Sequence, residues 1–262
     1  MIHKQHVSVI IPALNEEQAI GKVVSQLKAL SNHEQKPLID DIVVCDNGSS
    51  DRTTIVARQA GARVVYQAEL GYGIACQTAI EHLHNTDIVL FVDGDDSCVV
   101  TQALGLVEAV SQVGTVAGTA EMAIGSRALG NMEAGALTPP QQFGNWLAVG
   151  LIRALWRYRV TDLGPFRAIR YETLKRLKMA DRRFGWTVEM QIKAIQLGIV
   201  TTELPVDSTR RIGQSKISGT LRGVIGAAHG IIGTIAKFRW RQWREKKNYL
   251  SSPPLPSGQH SL

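Results

Sequence analysis

The chain has 262 residues, 44% hydrophobic and 20% charged, which suits one globular domain with some extra elements and excludes wholesale disorder. Its three cysteines, Cys45, Cys76 and Cys98, share no C-x-x-C spacing and cannot all pair, which argues against a disulfide scaffold or zinc ribbon and for a reducing compartment. The net charge is +6, and the basic excess gathers in residues 237–247, KFRWRQWREKK, where Glu245 is the only acid. Such a basic end can meet nucleic acid, anionic lipid or a phosphorylated substrate, or serve as a solvated helix face.

The opening segment, MIHKQHVSVIIPALNEE, has an apolar run that is too short for a signal sequence and ends at Pro12. No stretch reaches the roughly 18 uncharged apolar residues of a spanning helix. A cytosolic chain is expected. Short β-branched runs then alternate with helical patterns, the signature of parallel α/β layering. The runs are VSVII (7–11), DIVVC (41–45), RVVY (63–66) and DIVLFV (87–92), nearly continuous in apolar character, as strands covered on both faces should be. The second half reads as more helical. Helices are expected over 143–158, 187–198 and 219–236, with a late strand over 197–206 ended by Pro205 and a Pro/Ser-rich disordered tail over 250–262.

Functional groups in such sheets collect past the carboxyl ends of the strands. Polar clusters stand there in this chain: Asn15-Glu16-Glu17, Asp46-Asn47-Gly48-Ser49 and Asp93-Gly94-Asp95-Asp96. Asp93 and Asp95 can share a site, one gripping a divalent cation and the other a hydroxyl pair. Hard oxygen ligands of this kind suit Mg²⁺ or Mn²⁺, with substrate phosphates completing the shell. The same residues also fit an ordinary Asp/Gly turn, and Asn15 and Ser49 or Ser50 also fit helix N-caps. Gly71-Tyr72-Gly73 lacks the third glycine of a dinucleotide fingerprint, so no such cofactor is expected.

Taken in order, VSVIIPALNEE, DIVVCDNGSSDRT, GYGIACQTAI, DIVLFVDGDDS, IGSR, VTDLGPFRAIR, FGWTVEMQIKA and RRIGQSKISGT resemble the motifs of family 2 glycosyltransferases, over roughly residues 6–240. The polyprenyl-phosphate (dolichyl-phosphate) hexosyltransferase branch is the most similar. The resemblance implies an α/β GT-A fold, a Rossmann-like mixed sheet flanked by helices, over residues 1–218. A glycine-rich and basic amphipathic helical segment follows over 219–249. It also implies a nucleotide-diphospho-sugar donor held with Mg²⁺ or Mn²⁺. Pro12, Asn15, Glu16 and Asp46 would contact the nucleoside, Asp93 would lie near ribose and metal, and Asp95 would be the principal metal ligand. Arg210, Gly213, Ser215 and Lys216 match the R-x-x-G-x-S-K segment that closes over the donor diphosphate. Arg127 and Arg167 match arginines near the acceptor phosphate, and Glu189 a carboxylate on the helix lining the site.

The chemistry agrees with these assignments. Breaking a sugar–diphosphate bond builds negative charge that a divalent ion and Lys216 can stabilise. Arginine forks suit a phosphate acceptor. A phosphate monoester, with a second pKa of about 6, attacks without a strong protein base. A hydroxyl acceptor needs one, and Glu189 is the nearest candidate, unless it is a helix-surface carboxylate paired with Lys193. Three departures stand out: Cys45 precedes Asp46 where many relatives have two acids, Ser97 replaces a glutamine, and Gln141-Gln142 replace an arginine. Trp240 and Trp243 among cations form the pattern of an interfacial anchor on an anionic membrane, or else of a helix packed on the domain. Nucleic acid is not expected, because the upstream motifs already account for phosphate contacts. The expected activity is inverting transfer of a hexose from a UDP- or GDP-sugar to a polyprenyl phosphate. The alternatives are a soluble phosphorylated or hydroxylated acceptor and a non-catalytic nucleotide-sugar-binding role.

Overall fold

A computed structural model describes residues 2, 4–111, 120–213 and 230–244. Seven strands form one mixed sheet: β1 (Val7–Ala13), β2 (Asp41–Asp46), β3 (Arg63–Tyr66), β4 (Ile88–Phe91), β5 (Met122–Ser126), β6 (Arg167–Arg170) and β7 (Thr201–Pro205), in the order β3-β2-β1-β4-β6-β5-β7. The first four are parallel, β6 runs antiparallel to β4 and β5, and β7 is parallel to β5. Alternate residues of β1 serve opposite layers. Val9 and Ile11 pack with α1 (Ile20–Ala29) and α4 (Ala103–Val110), whereas Ile10 packs with α3 (Tyr72–Glu81) and α7 (Trp186–Gln196). The remaining helices are α2 (Thr53–Gln59), α5 (Pro139–Trp156) and α6 (Tyr171–Leu177).

The four early strands fall where the apolar runs place them. The late strand is confined to β7, because the preceding Leu197 ends α7 instead. α5 starts at Pro139 rather than 143, since the Thr138 amide donates to Gln141 Oε1 at 2.9 Å and two prolines open the first turn. β5 and β6 are additions to the sequence reading. Residues 219–229 of the expected glycine-rich helix lie outside the described residues, as does the tail. Residues 230–244 are helical and pack through Ile235 and Phe238 onto α5 and α7. No described helix is long and apolar enough to cross a membrane.

Strand order reverses beside β1, so loops diverge where β1 and β4 end and open a crevice there. The Asn15 and Asp93 clusters line it.

Candidate active site

The donor-side loops are ordered by their own polar groups. Asn15 adopts a left-handed φ of 53°, its amide donates to Ser49 Oγ at 2.9 Å, and its Oδ1 accepts from the Ser50 amide at 2.7 Å. Asp46, expected to reach a nucleoside, is 6% exposed. Its oxygens accept from the Ser49 amide at 2.8 Å and the Thr54 hydroxyl, so it shapes the loop from below. Pro12 sits inside β1 opposite Cys45. A cavity of about 340 Å³ is lined by Asn15, Glu16, Glu17, Gln18, Asp51, Ile212 and Gly213, bringing together three of the expected donor residues.

Asp93 and Asp95 follow β4. The Tyr72 hydroxyl donates to Asp93 Oδ1 at 3.0 Å. Removal from water and the neighbouring Asp95 charge push the Asp93 carboxyl up to about 7. Asp95 accepts from the Ser97 amide at 3.1 Å, and its Oδ2 lies 3.4 Å from Arg211 Nη1. Arg211 Nη2 reaches Glu16 Oε1 at 3.0 Å. Asp96, the third acid, turns away to Lys22 at 2.6 Å. Among the described residues no group of three or more His, Cys, Asp or Glu could hold a metal ion. The carboxylate oxygens of Asp93 and Asp95 are hard donors of the kind that suit a divalent cation completed by phosphate oxygens, and Asp95 with Glu16 already draws one cation, the guanidinium of Arg211.

Arg211 was not singled out by the motif spacing, which selects Arg210. The main chain decides between the two. Thr209 N donates to Ser97 O at 3.1 Å and Ile212 N to Asp95 O at 2.9 Å, which turns Arg211 inward. Arg210 points away, exposed, with its guanidinium over Gly135, where a Cβ would lie 2.9 Å from Nη2. Ser215 and Lys216 lie outside the described residues.

A second cavity, about 490 Å³, has Tyr72, Asp93 and Arg127 at its polar end and Leu137, Pro140, Phe143, Leu147, Leu163, Val188 and Ile231 among its walls. Gln141 also lines it. Arg127 meets this cavity, but its fork is engaged: Nε and Nη2 each donate to Asp162 at 2.7 Å. Burial works against the ionised Asp162, yet the Arg127 fork outweighs it and holds the carboxyl below the usual range.

The two remaining acceptor-side residues are not among those lining the cavity. Arg167 is 1% exposed; it donates to Gly164 O at 2.7 Å and Thr187 O at 3.1 Å, and burial pushes its pKa down to about 10. Glu189 is 3% exposed and pairs with Lys193 at 2.7 Å, so the i,i+4 pair exists but is buried rather than on the helix surface. Its oxygens also accept from the Ala180 and Asp181 amides. The glycines flanking Tyr72 have a packing role: a Cβ on Gly71 would lie 2.2 Å from Arg182 O, and one on Gly73 2.1 Å from Asp181 O.

Comparison with known proteins bears on the fold and the family. The chain is 33% identical over 227 residues to an uncharacterized glycosyltransferase of Mycobacterium bovis, covering 84% of this chain and 93% of that protein. It is 28% identical over 213 residues to a dolichyl-phosphate hexose transferase of Haloferax volcanii, covering 80% of this chain and 86% of that one. A crystal structure of glucosyl-3-phosphoglycerate synthase from Mycobacterium tuberculosis, in complex with Mn²⁺, UDP and phosphoglyceric acid, aligns with a TM-score of 0.69. It shares 22% identity and covers 90% of this chain and 79% of that one, a likeness that establishes the shared GT-A fold. The model of Glycosyl transferase family 2 matches residues 8–176, well over half of the sequence, and the chain belongs to that family of glycosyltransferases.

Proposed function

We propose that this glycosyltransferase moves a hexose from a nucleotide-diphospho-sugar, held with Mg²⁺ or Mn²⁺, to a polyprenyl phosphate at an anionic membrane surface. The observation that carries the reading is the second cavity, whose walls are apolar and whose polar end holds Asp93, Tyr72 and Arg127. Such a cavity suits a phosphate with a hydrocarbon tail far better than a small, fully polar acceptor. Two helices that contribute to its walls, α5 and the C-terminal one, carry exposed aromatics. Phe143 and Trp146 of α5 are 61% and 69% exposed and share a helix face with Arg153. Trp240 and Trp243 are exposed among Lys237, Arg239, Arg241 and Arg244 on the C-terminal helix. Exposed aromatics interleaved with cations suit the headgroup layer of an anionic bilayer.

Asp93 and Asp95 would hold the divalent ion, which supplies charge stabilisation for the departing nucleoside diphosphate. Asn15 and Glu16 would border the nucleoside, while Gly213, in the same cavity, belongs with Arg210, Ser215 and Lys216 to the segment assigned to the diphosphate. Arg127 orients the acceptor phosphate, and Arg167 behind it adds positive charge. Single displacement at the anomeric carbon inverts configuration and gives a β-linked product from an α-linked donor. An ionised phosphate needs no protein base, which accords with the three donors already held by Glu189.

The fold likeness to glucosyl-3-phosphoglycerate synthase favours a second reading, a soluble phosphorylated acceptor such as 3-phosphoglycerate. The test is purified protein with Mn²⁺ or Mg²⁺, a panel of UDP- and GDP-hexoses, and either detergent-dispersed polyprenyl phosphate or 3-phosphoglycerate. Released nucleotide and glycosylated product are followed together. Glycolipid formation is expected. Nucleotide release that needs only 3-phosphoglycerate would replace the lipid reading with the soluble one.

A further inference from the structure

Glu189 is a buried carboxylate, 3% exposed, and the partners it has belong to the protein's own frame. Its Oε1 and Oε2 both lie 3.1 Å from the Ala180 amide, and Oε2 accepts from the Asp181 amide at 2.6 Å. Lys193 Nζ stands 2.7 Å from Oε1 and also donates to Lys178 O at 2.5 Å. One ion pair therefore grips the chain at both ends of residues 178–181. The turn that follows is tightened by Asp181, whose Oδ1 accepts from the Arg183 and Gly185 amides at 2.8 and 3.1 Å.

This turn receives the start of α3. Gly73 N donates to Arg183 O at 3.1 Å and Ile74 N to Arg182 O at 3.0 Å, satisfying two amides that a helix N-terminus leaves open. Gly71 and Gly73 allow the approach, since neither could carry a Cβ against the carbonyls of 181 and 182. Between them stands Tyr72, lining the larger cavity with its hydroxyl on Asp93.

We propose that Glu189 is a positioning residue for glycosyl transfer: with Lys193 it holds the 180–185 turn, the turn holds Tyr72 at the head of α3, and Tyr72 orients Asp93. The proposal rests on the reading of Asp93 as part of the donor site. A general base must reach the acceptor's proton, and Glu189 lines neither cavity. Its position in sequence, on a helix beside the site, is explained instead by what it supports, as outer-shell groups commonly fix the ligands in front of them.

The test compares Glu189→Gln, Tyr72→Phe and the double variant by hydrogen exchange of the apo protein and by nucleotide release. In Glu189→Gln, exchange in the segment containing Gly73 and Ile74 should become about ten-fold faster, with β1 and β4 protected as in the wild type. Tyr72→Phe should leave exchange unchanged. Both single variants should lower kcat by about ten- to a hundred-fold. The double variant should be no worse than the poorer single one, because both act through the same carboxylate. Lys193→Met breaks the pair from the other side and should give the same acceleration if Glu189→Gln does not fold. Unchanged exchange in the clamp variants, or kcat losses that multiply, would overturn the proposal. Wild-type exchange with abolished turnover in Glu189→Gln would make it the base. If the wild-type protein turns over no nucleotide sugar, the donor reading fails while the exchange arm still decides the clamp.

Discussion

Replacing Arg127 by methionine removes the fork that neutralises Asp162 and keeps a side chain of similar length. Asp162 is 1% exposed, and it accepts from Arg127 Nε, Nη2 and the main-chain amide at 2.7, 2.7 and 2.9 Å. Removing one partner of such a pair strands a buried carboxylate, at a cost of about 3–5 kcal/mol. The positive charge of Arg167, which also acts on Asp162, moderates this toward about 3 kcal/mol. Asp162→Asn leaves a guanidinium with access to the cavity and should cost less, about 1–2 kcal/mol. The double variant Arg127→Met/Asp162→Asn should therefore be more stable than the sum of the single losses by about 1 kcal/mol or more.

The pH dependence gives the diagnostic sign. In the wild type the Asp162 pKa is depressed, so its stabilisation is complete above the unfolded value of about 3.9 and lost as pH falls through the folded value. In Arg127→Met the same carboxylate is buried without its fork and its pKa rises. The deficit relative to wild type is then largest near pH 7 and narrows as the pH falls toward about 5. Urea unfolding followed by tryptophan fluorescence at both pH values measures this. A deficit that is independent of pH, or a double variant as unstable as the summed singles, would refute the reasoning.

Asp95→Asn keeps the shape but removes the charge expected to hold a cation against the diphosphate, so metal-dependent turnover should fall several tens-fold, about 2 kcal/mol or more; full turnover would remove Asp95 from the site. Gly73→Ala places a Cβ 2.1 Å from Asp181 O, and backbone must yield, so thermal unfolding should show a loss of about 1–3 kcal/mol. Neutralising Arg239, Arg241 and Arg244 should weaken binding to anionic liposomes by about 1 kcal/mol per charge without changing nucleotide affinity. High salt should mimic that triple variant in a liposome co-sedimentation assay, and indifference of the wild-type protein to anionic liposomes at low salt would leave the helix merely packed on the domain.

The strands that build the crevice were legible because each is buried on both faces and so reads as an unbroken apolar run. β5 and β6 were not. MAIGS mixes small residues, and RAIR begins and ends with arginines, a polar pattern that can be buried as a strand between β4 and β5 with the Arg167 guanidinium received by Gly164 O and Thr187 O. In α5 the core forms around Ala148 and Ile152 and leaves the apolar Trp146 outside.

By itself the sequence determined the layered α/β class, the placement of the acidic and amide clusters after the strands, and the motif order shared with the family, because periodicity and motifs are local properties of the chain. Tertiary structure decided which member of each motif faces a cavity. Asp46 and Glu189 have the right chemistry for the roles their motifs suggest, but their oxygens are taken up by protein amides, a hydroxyl and an ammonium. Arg211, adjacent to the residue that the spacing selects, turns inward because residues 209–212 bond to the main chain at 95–97. Which side chains are committed to the protein's own frame depends on partners that arrive from segments far away in sequence, through the packing of the whole fold.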